Sequence, residues 1–316
     1  MVEKSVKDST EAEFYEEIDL IELFKKLWSS RLFILKATLI ASLVSVLFSL
    51  SLTNYYRSNS ILFISDSSSS LQSSFSQFGG LASLAGITLP SAGQDKSQLV
   101  IETIKSREFF RHLITYDDIL PNIMASKGFD ANSQKIIYDN TIFDEESRKW
   151  KKPWYRKLFS GRSPIPSYLE AHEEYLEIIS ASKDKITGHI YISAEHVSPI
   201  FAKNLVELII REANTLLRNQ DLKESSDALE YLSQEINKTS LIEIKDSVND
   251  LIKAQLETQM IAKISDDYIL KTIEPPYVPE RKSKPDRAII SIIGTLLGMI
   301  LSIIFIYIRN LDSHRE

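Results

Sequence analysis

Residues 288–308 read AIISIIGTLLGMILSIIFIYI, 21 positions without a charged side chain. At about 1.5 Å rise per residue such a helix crosses the roughly 30 Å hydrocarbon core of a bilayer. Arg287 and Arg309 bound it, and Tyr307 stands where an aromatic belt is expected. Within it, Gly294 and Gly298 form a small-xxx-small face that lets another helix approach closely. This stretch predicts a transmembrane helix, and it makes the rest of the chain a question of what the membrane anchors.

A second apolar stretch lies near the other end. Residues 32–53 are apolar apart from hydroxyl side chains and Lys36, whose ammonium reaches the headgroups from near a helix end. Met1 to Glu17 mixes acids and bases with few apolar positions, so this stretch reads as an uncleaved signal anchor. Lys25, Lys26, Arg31 and Lys36 crowd its N-terminal side and predict that this end is cytoplasmic. Arg281, Lys282, Lys284 and Arg287 argue the other way, but long translocated domains cross largely regardless of charge. The expected order is a cytoplasmic segment 1–31, a span 32–53, an exported domain 54–287, a span 288–308 and a cytoplasmic tail 309–316. Glu17 to Trp28 reads as an amphipathic helix, with Leu20, Leu23, Phe24, Leu27 and Trp28 on one stripe. It lies at the interface or simply extends the span.

The exported part reads as mixed helix and strand. Tyr56–Ser65 reads as a strand, and a serine-rich stretch then leads to Phe78-Gly79-Gly80-Leu81-Ala82. Lys96–Ile114 and Pro166–Ser180 read as helices. Lys185–Ser193 alternates as a strand, with Ile186, Gly188, Ile190 and Ile192 on one face. Ser198-Pro199 is a good helix start, and that helix is expected to reach about Asn219. Residues 221–264 hold no proline and no glycine, which predicts a long helix of roughly 60 Å. Its apolar seams, Leu229–Leu232–Ile236 and then Leu241–Ile244–Val248–Leu251, change phase near Thr239-Ser240, where a break or a change of partner is expected. Tyr268–Ile273 reads as a returning strand. Pro275, Pro276, Pro279 and Pro285 then predict a stiff, extended connector over 274–287.

Composition excludes several chemistries. With 43% hydrophobic and 25% charged residues and a net charge of −6, the chain is ordinary for a folded protein and lacks the basic excess of a nucleic-acid binder. No cysteine is present, so disulfides, zinc–thiolate sites and cysteine nucleophiles are excluded. The five histidines form no metal-binding spacing. There is no serine elbow and no phosphate-cradling glycine loop. No catalytic group, metal or cofactor is expected. Arg148, Lys149, Trp150, Lys151, Lys152, Trp154 and Arg156 form a basic-aromatic run. It reads either as a contact for lipid phosphate or acidic glycan, or as an exposed loop held down by its aromatics.

Several segments together resemble one family. They are Glu17-Ile18-Asp19-Leu20, Phe78-Gly79-Gly80-Leu81-Ala82, Thr187-Gly188-His189-Ile190, Glu195-His196-Val197-Ser198-Pro199 and Tyr268-Ile269-Leu270-Lys271-Thr272-Ile273-Glu274-Pro275. Val278-Pro279-Glu280 and Lys282-Ser283-Lys284-Pro285 follow. The chain resembles the chain-length-determinant proteins, the Wzz-type polysaccharide co-polymerases of Gram-negative inner membranes. The resemblance implies an α+β periplasmic domain with a long projecting helix, anchored by two transmembrane helices. It also implies ring-like homo-oligomers that set the length of a polysaccharide, usually lipopolysaccharide O antigen. The partners it implies are a membrane polymerase, an undecaprenyl-linked glycan and membrane lipid. The short tail points to the class without a cytoplasmic kinase domain. The alternative within this resemblance is an inner-membrane adaptor for capsule or exopolysaccharide export with an ABC transporter.

Overall fold

The computed structural model describes residues 28–64, 96–152, 163–238, 242–265 and 267–312. The chain divides into two compact units, one built on its two ends and the other on residues 53–285.

The first unit pairs α1 (Arg31–Ser51) with α8 (Arg287–Asp312). Each is long and apolar enough to cross a membrane, as the two apolar stretches predict. Asp286 starts α8: its Oδ1 accepts from the backbone N–H groups of Ala288 and Ile289, satisfying donors that have no partner inside the helix. Several hydroxyls on the apolar helices are returned to backbone, whereas the buried Thr38 Oγ1 has no hydrogen-bond partner among the described residues. Ser291 Oγ donates to Arg287 O and Thr295 Oγ1 to Ser291 O, each one turn back.

The second unit is built on a four-stranded antiparallel sheet ordered β6-β7-β1-β8, with β1 (Tyr56–Ile64), β6 (Ile179–Lys183), β7 (Ile190–His196) and β8 (Leu270–Glu274). On β1, Ser58, Ser60 and Leu62 alternate inward. Ile190, Ile192, Leu62 and Leu270 join Leu205, Val206 and Ile209 of α6 (Pro199–Lys238) in one core. Asn214 of α6 closes this layer: its Oδ1 accepts from Ile269 N and Leu270 N, and its Nδ2 donates to Leu270 O. A buried amide bonded through both its oxygen and its nitrogen pins β8 to the helix.

The helices α2 (Lys96–Lys105), α3 (Arg107–Leu113), α4 (Ile119–Ala125) and α5 (Tyr168–Ile178) flank the sheet. Two short hairpins, β2–β3 (Ser126–Asp130, Lys135–Tyr138) and β4–β5 (Phe143–Asp144, Lys149–Trp150), lie between α4 and α5 in sequence. Where one helix is expected over Lys96–Ile114, two are found. Ser106 breaks the run with extended backbone, and its Oγ accepts from Phe109 N to cap the second helix. Ser167 and Glu170 form a reciprocal capping box that starts α5.

Three further expectations are adjusted by local chemistry. The strand expected over Lys185–Ser193 begins at Ile190, because Asp184 Oδ1 accepts from Ile186 N and Thr187 N and bends 184–189 into a turn. Ile186, placed on the apolar face by alternation, is 95% exposed. The helix expected to stop near Asn219 continues to Lys238, since no glycine or proline interrupts it. The helix expected over 221–264 is therefore divided between the end of α6 and α7 (Ile242–Ile264), the two bounds falling on either side of the predicted phase change. α7 packs back along α6: Arg218 donates to Ser265 O at 2.6 Å, and Tyr268 Oη donates to Asp221 Oδ2 at 2.7 Å. Buried small residues, Ser225 on α6 and Ala254 and Ala262 on α7, permit that approach.

His196 ends β7 in the buried interior. Its Nδ1 accepts from Ser198 N, so Nε2 carries the proton and donates to Asn122 O at 2.9 Å. Burial pushes its pKa down to about 4. In the unfolded chain the ring titrates near 6.5, so this contribution to stability is fully present above pH 6.5. It is lost as the pH falls towards 4, by about 3 kcal/mol in total. Melting of the protein in detergent should show this acid-side slope, and His196→Gln should flatten it by one proton.

Candidate functional site

The connector after β8 does not stand apart from the sheet. It is tied along β1 at both of its ends. Pro275, Pro276 and Pro279 have no N–H to offer a strand, so a regular ladder is impossible there. Serine hydroxyls take its place: Ser60 Oγ donates to Glu274 O and Ser58 Oγ to Tyr277 O, both at 2.7 Å. Pro279 is buried, Pro276 and Pro285 half-buried, and Pro275 exposed. At the far end Tyr55 N donates to Lys284 O at 2.9 Å, and Ser283 N donates to Tyr55 O at 2.8 Å. The first and last residues of this unit are therefore neighbours.

Glu195 fixes that junction. It is 9% exposed, and its Oε2 accepts from Arg57 Nε at 3.1 Å and from Arg57 Nη2. Its Oε1 lies 3.1 Å from Lys284 Nζ. Burial pushes the Glu195 carboxyl up, but hydrogen bonds from Arg57 and Lys284 outweigh it and hold the group below the ordinary range. One carboxylate thus joins β1, β7 and the connector. Sequence reading gave no structural role to Glu195, Ser58 or Ser60, although serines at alternate positions of the expected strand were an available signal.

In the unit of α1 and α8, Gly294 and Gly298 lie against α1. A Cβ on Gly294 would stand 3.8 Å from Ser45 Cα and inside the van der Waals shell of its Cβ and Oγ. A Cβ on Gly298 would stand 3.7 Å from Ala41 Cα and overlap its methyl. Ser45 Oγ donates across to Ile290 O at 3.1 Å, and Phe33 stacks on Phe305 with centroids 5.7 Å apart. Small residues on both helices create the approach, and the cross-helix hydroxyl bond uses it.

The described part of the basic-aromatic run is the β4–β5 hairpin. Arg148 pairs with Asp118, Lys151 Nζ lies 3.4 Å from Asp144 Oδ1, and Trp150 packs on Phe143 at 5.1 Å between centroids. Lys149 is exposed and Lys152 half-buried. Trp154 and Arg156 lie outside the described residues, as do Phe78–Ala82 and the predicted interfacial helix before Trp28. Among the described residues no group of three His, Cys, Asp or Glu side chains is placed to hold a metal ion.

Residues 16–115, about a third of the chain, match the family model described as the Wzz chain length determinant protein. Among solved structures, a full-length bacterial polysaccharide co-polymerase is similar at 14% identity. The alignment covers 94% of this chain and 99% of that one, with a TM-score of 0.41. A fragment of WzzB, the polysaccharide co-polymerase from Salmonella Typhimurium, is similar at 12% identity over 73% of this chain and 100% of that one, with a TM-score of 0.28. No curated protein matches the chain.

Two outcomes are expected of these junctions. Glu195→Gln keeps the shape but removes the charge facing Arg57 and Lys284, and should cost about 1–2 kcal/mol in denaturant melts. Gly294→Leu and Gly298→Leu would each place a side chain where Ser45 and Ala41 already stand, and each should lower the melting temperature of the protein in detergent by several degrees.

Proposed function

We propose that the protein sets the length of a surface polysaccharide, with lipopolysaccharide O antigen the first candidate, as a two-span inner-membrane protein. In this reading α1 and α8 cross the membrane and both termini are cytoplasmic. Residues 54–287 are periplasmic. The protein assembles as a ring-like homo-oligomer and acts on a membrane polymerase and its undecaprenyl-linked glycan through shape, without a catalytic group. The observation that carries the reading is the match to the chain length determinant model, which runs through α1 and β1. The positive charge before α1 supports the orientation.

Control of the effect is proposed to lie in the connector and in the span contacts. Pro275, Pro276, Pro279 and Pro285, with Gly294 and Gly298, are proposed as the connector and span-packing residues. The serine and Glu195 ties along β1 are consistent with a connector that holds its position. The run Arg148–Lys152 with Trp154 and Arg156 is proposed as a weaker contact for lipid or glycan. The pairing of Arg148 and Lys151 with carboxylates favours a mainly anchoring role for the hairpin.

A deletion strain should lose its modal polysaccharide length on a gel, and the wild-type gene should restore it. Gly294→Leu, Gly298→Leu and the double change Ser58→Ala, Ser60→Ala, at normal expression, should shift the mode. An unchanged banding pattern in the deletion strain would end this reading.

A further inference from the structure

We infer that the junction where residues 53–285 begin and end binds the phosphate of an anionic phospholipid, through Arg281, Lys282, Lys284 and Arg57. The inference rests on the two-span reading above, because it needs this junction at the membrane surface.

Chain connectivity limits how far the junction lies from the spans. Tyr55 is four residues beyond Ser51, the last residue of α1, and Lys284 is three residues before Arg287, the first of α8. At no more than about 3.6 Å per residue, they stay within about 14 Å and about 11 Å of those helix ends. Tyr55 N donates to Lys284 O at 2.9 Å, so both connections converge on one backbone pair. The stretches concerned are described without interruption, over 53–64 and 267–285.

The junction is rich in positive charge, although the whole chain carries a net −6. Over 53–57, 280–284 and Glu195, four cations (Arg57, Arg281, Lys282 and Lys284) stand against two carboxylates, Glu195 and Glu280. Glu195 holds Arg57 and Lys284 in place without using up their donors. It takes the Nε–H and an Nη2–H of Arg57 and one N–H of Lys284, out of the five and three that these side chains carry. The Arg57 side chain is 47% exposed and that of Lys284 65%, so solvent reaches both. Arg281 and Lys282 are exposed, and among the described residues neither is paired with a carboxylate.

Such a cluster is unusual where it stands. Lysine and arginine concentrate on the cytoplasmic side of membrane spans, whereas these cations precede α8 on the side read as exported. Lipid phosphate gives them a partner there: a guanidinium grips two phosphate oxygens at once, and an ammonium reads the charge. Tyr55, 42% exposed, adds an amphipathic ring of the kind enriched at headgroup depth. A zwitterionic lipid carries its own cation beside the phosphate and gains less from the cluster, which assigns an anionic one. A free phosphate ion would meet the same cations without acyl chains to hold it at the surface.

The chain has no cysteine, so a Glu280→Cys variant of the full-length protein takes a single environment-sensitive fluorophore beside the cluster. In non-ionic detergent micelles this parent is titrated with dihexanoyl phosphatidylglycerol, dihexanoyl phosphatidylcholine and inorganic phosphate. Phosphatidylglycerol should give a saturable change, with phosphatidylcholine at least fivefold weaker and phosphate without effect. Arg281→Gln with Lys282→Gln should weaken phosphatidylglycerol binding at least tenfold, since each cation beside an anionic headgroup contributes roughly fivefold. The charge-keeping pair Arg281→Lys, Lys282→Arg should bind as the parent does, and salt at about 0.5 M should weaken the parent several-fold. No saturable response to phosphatidylglycerol, an equal response to phosphatidylcholine, or unchanged binding by the neutral pair would overturn the inference. An equal response to inorganic phosphate would overturn the lipid assignment. In spheroplasts the unlabelled cysteine should react with a membrane-impermeant maleimide. No reaction would overturn the two-span reading and the inference with it, while reaction without lipid binding would overturn the inference alone.

Discussion

The folded unit depends on a carboxylate taken largely out of water. Removing Glu195 from solvent costs free energy, and that cost is recovered only because Arg57 and Lys284 reach it together. Those two cations are far apart in sequence, one near the beginning of the unit and one at its end. Separating them from Glu195 would leave a poorly solvated charge. The same geometry orients the rest: with Lys284 held, the backbone of Tyr55 can donate to Lys284 and accept from Ser283, and the connector is drawn alongside Ser58 and Ser60.

A similar economy governs the paired apolar helices. In hydrocarbon there is little hydrophobic gain in bringing two helices together, so close backbone approach and cross-helix hydrogen bonds must supply the attraction. Ala41 and Ser45 face Gly298 and Gly294, a pairing of small residues with small residues. Ser45, Ser291 and Thr295 turn their hydroxyls on to backbone carbonyls. Under the proposed topology these features are what a two-helix membrane anchor requires.

Much of this was readable in advance, for reasons that can be stated residue by residue. Uninterrupted apolarity marks α8, and alternation ending at Ile64 marks β1. The Ser198-Pro199 start was visible because the cap chemistry is local: Ser198 Oγ accepts from Phe201 N. The phase change near Thr239-Ser240 anticipated separate helices, because a seam cannot change register and keep the same partner. What escaped reading was either a competing local interaction or a long-range one. Asp184 captures two backbone N–H groups and overrides an alternating pattern that continues through Ile186. Ser60 meets a carbonyl 214 residues later, and no window along the sequence contains both.

The strand order has a consequence for biogenesis. β1 is made early yet sits between β7 and β8, and Arg57 lies 138 residues before the glutamate that binds it. At ribosomal rates of about 5–20 residues per second, the nascent strand waits on the order of ten to forty seconds before its last neighbour emerges. During that interval its unsatisfied edges are open to mispairing. A chain truncated before Leu270 would keep that exposure permanently, making an incomplete translation product a natural substrate for chaperones and proteases.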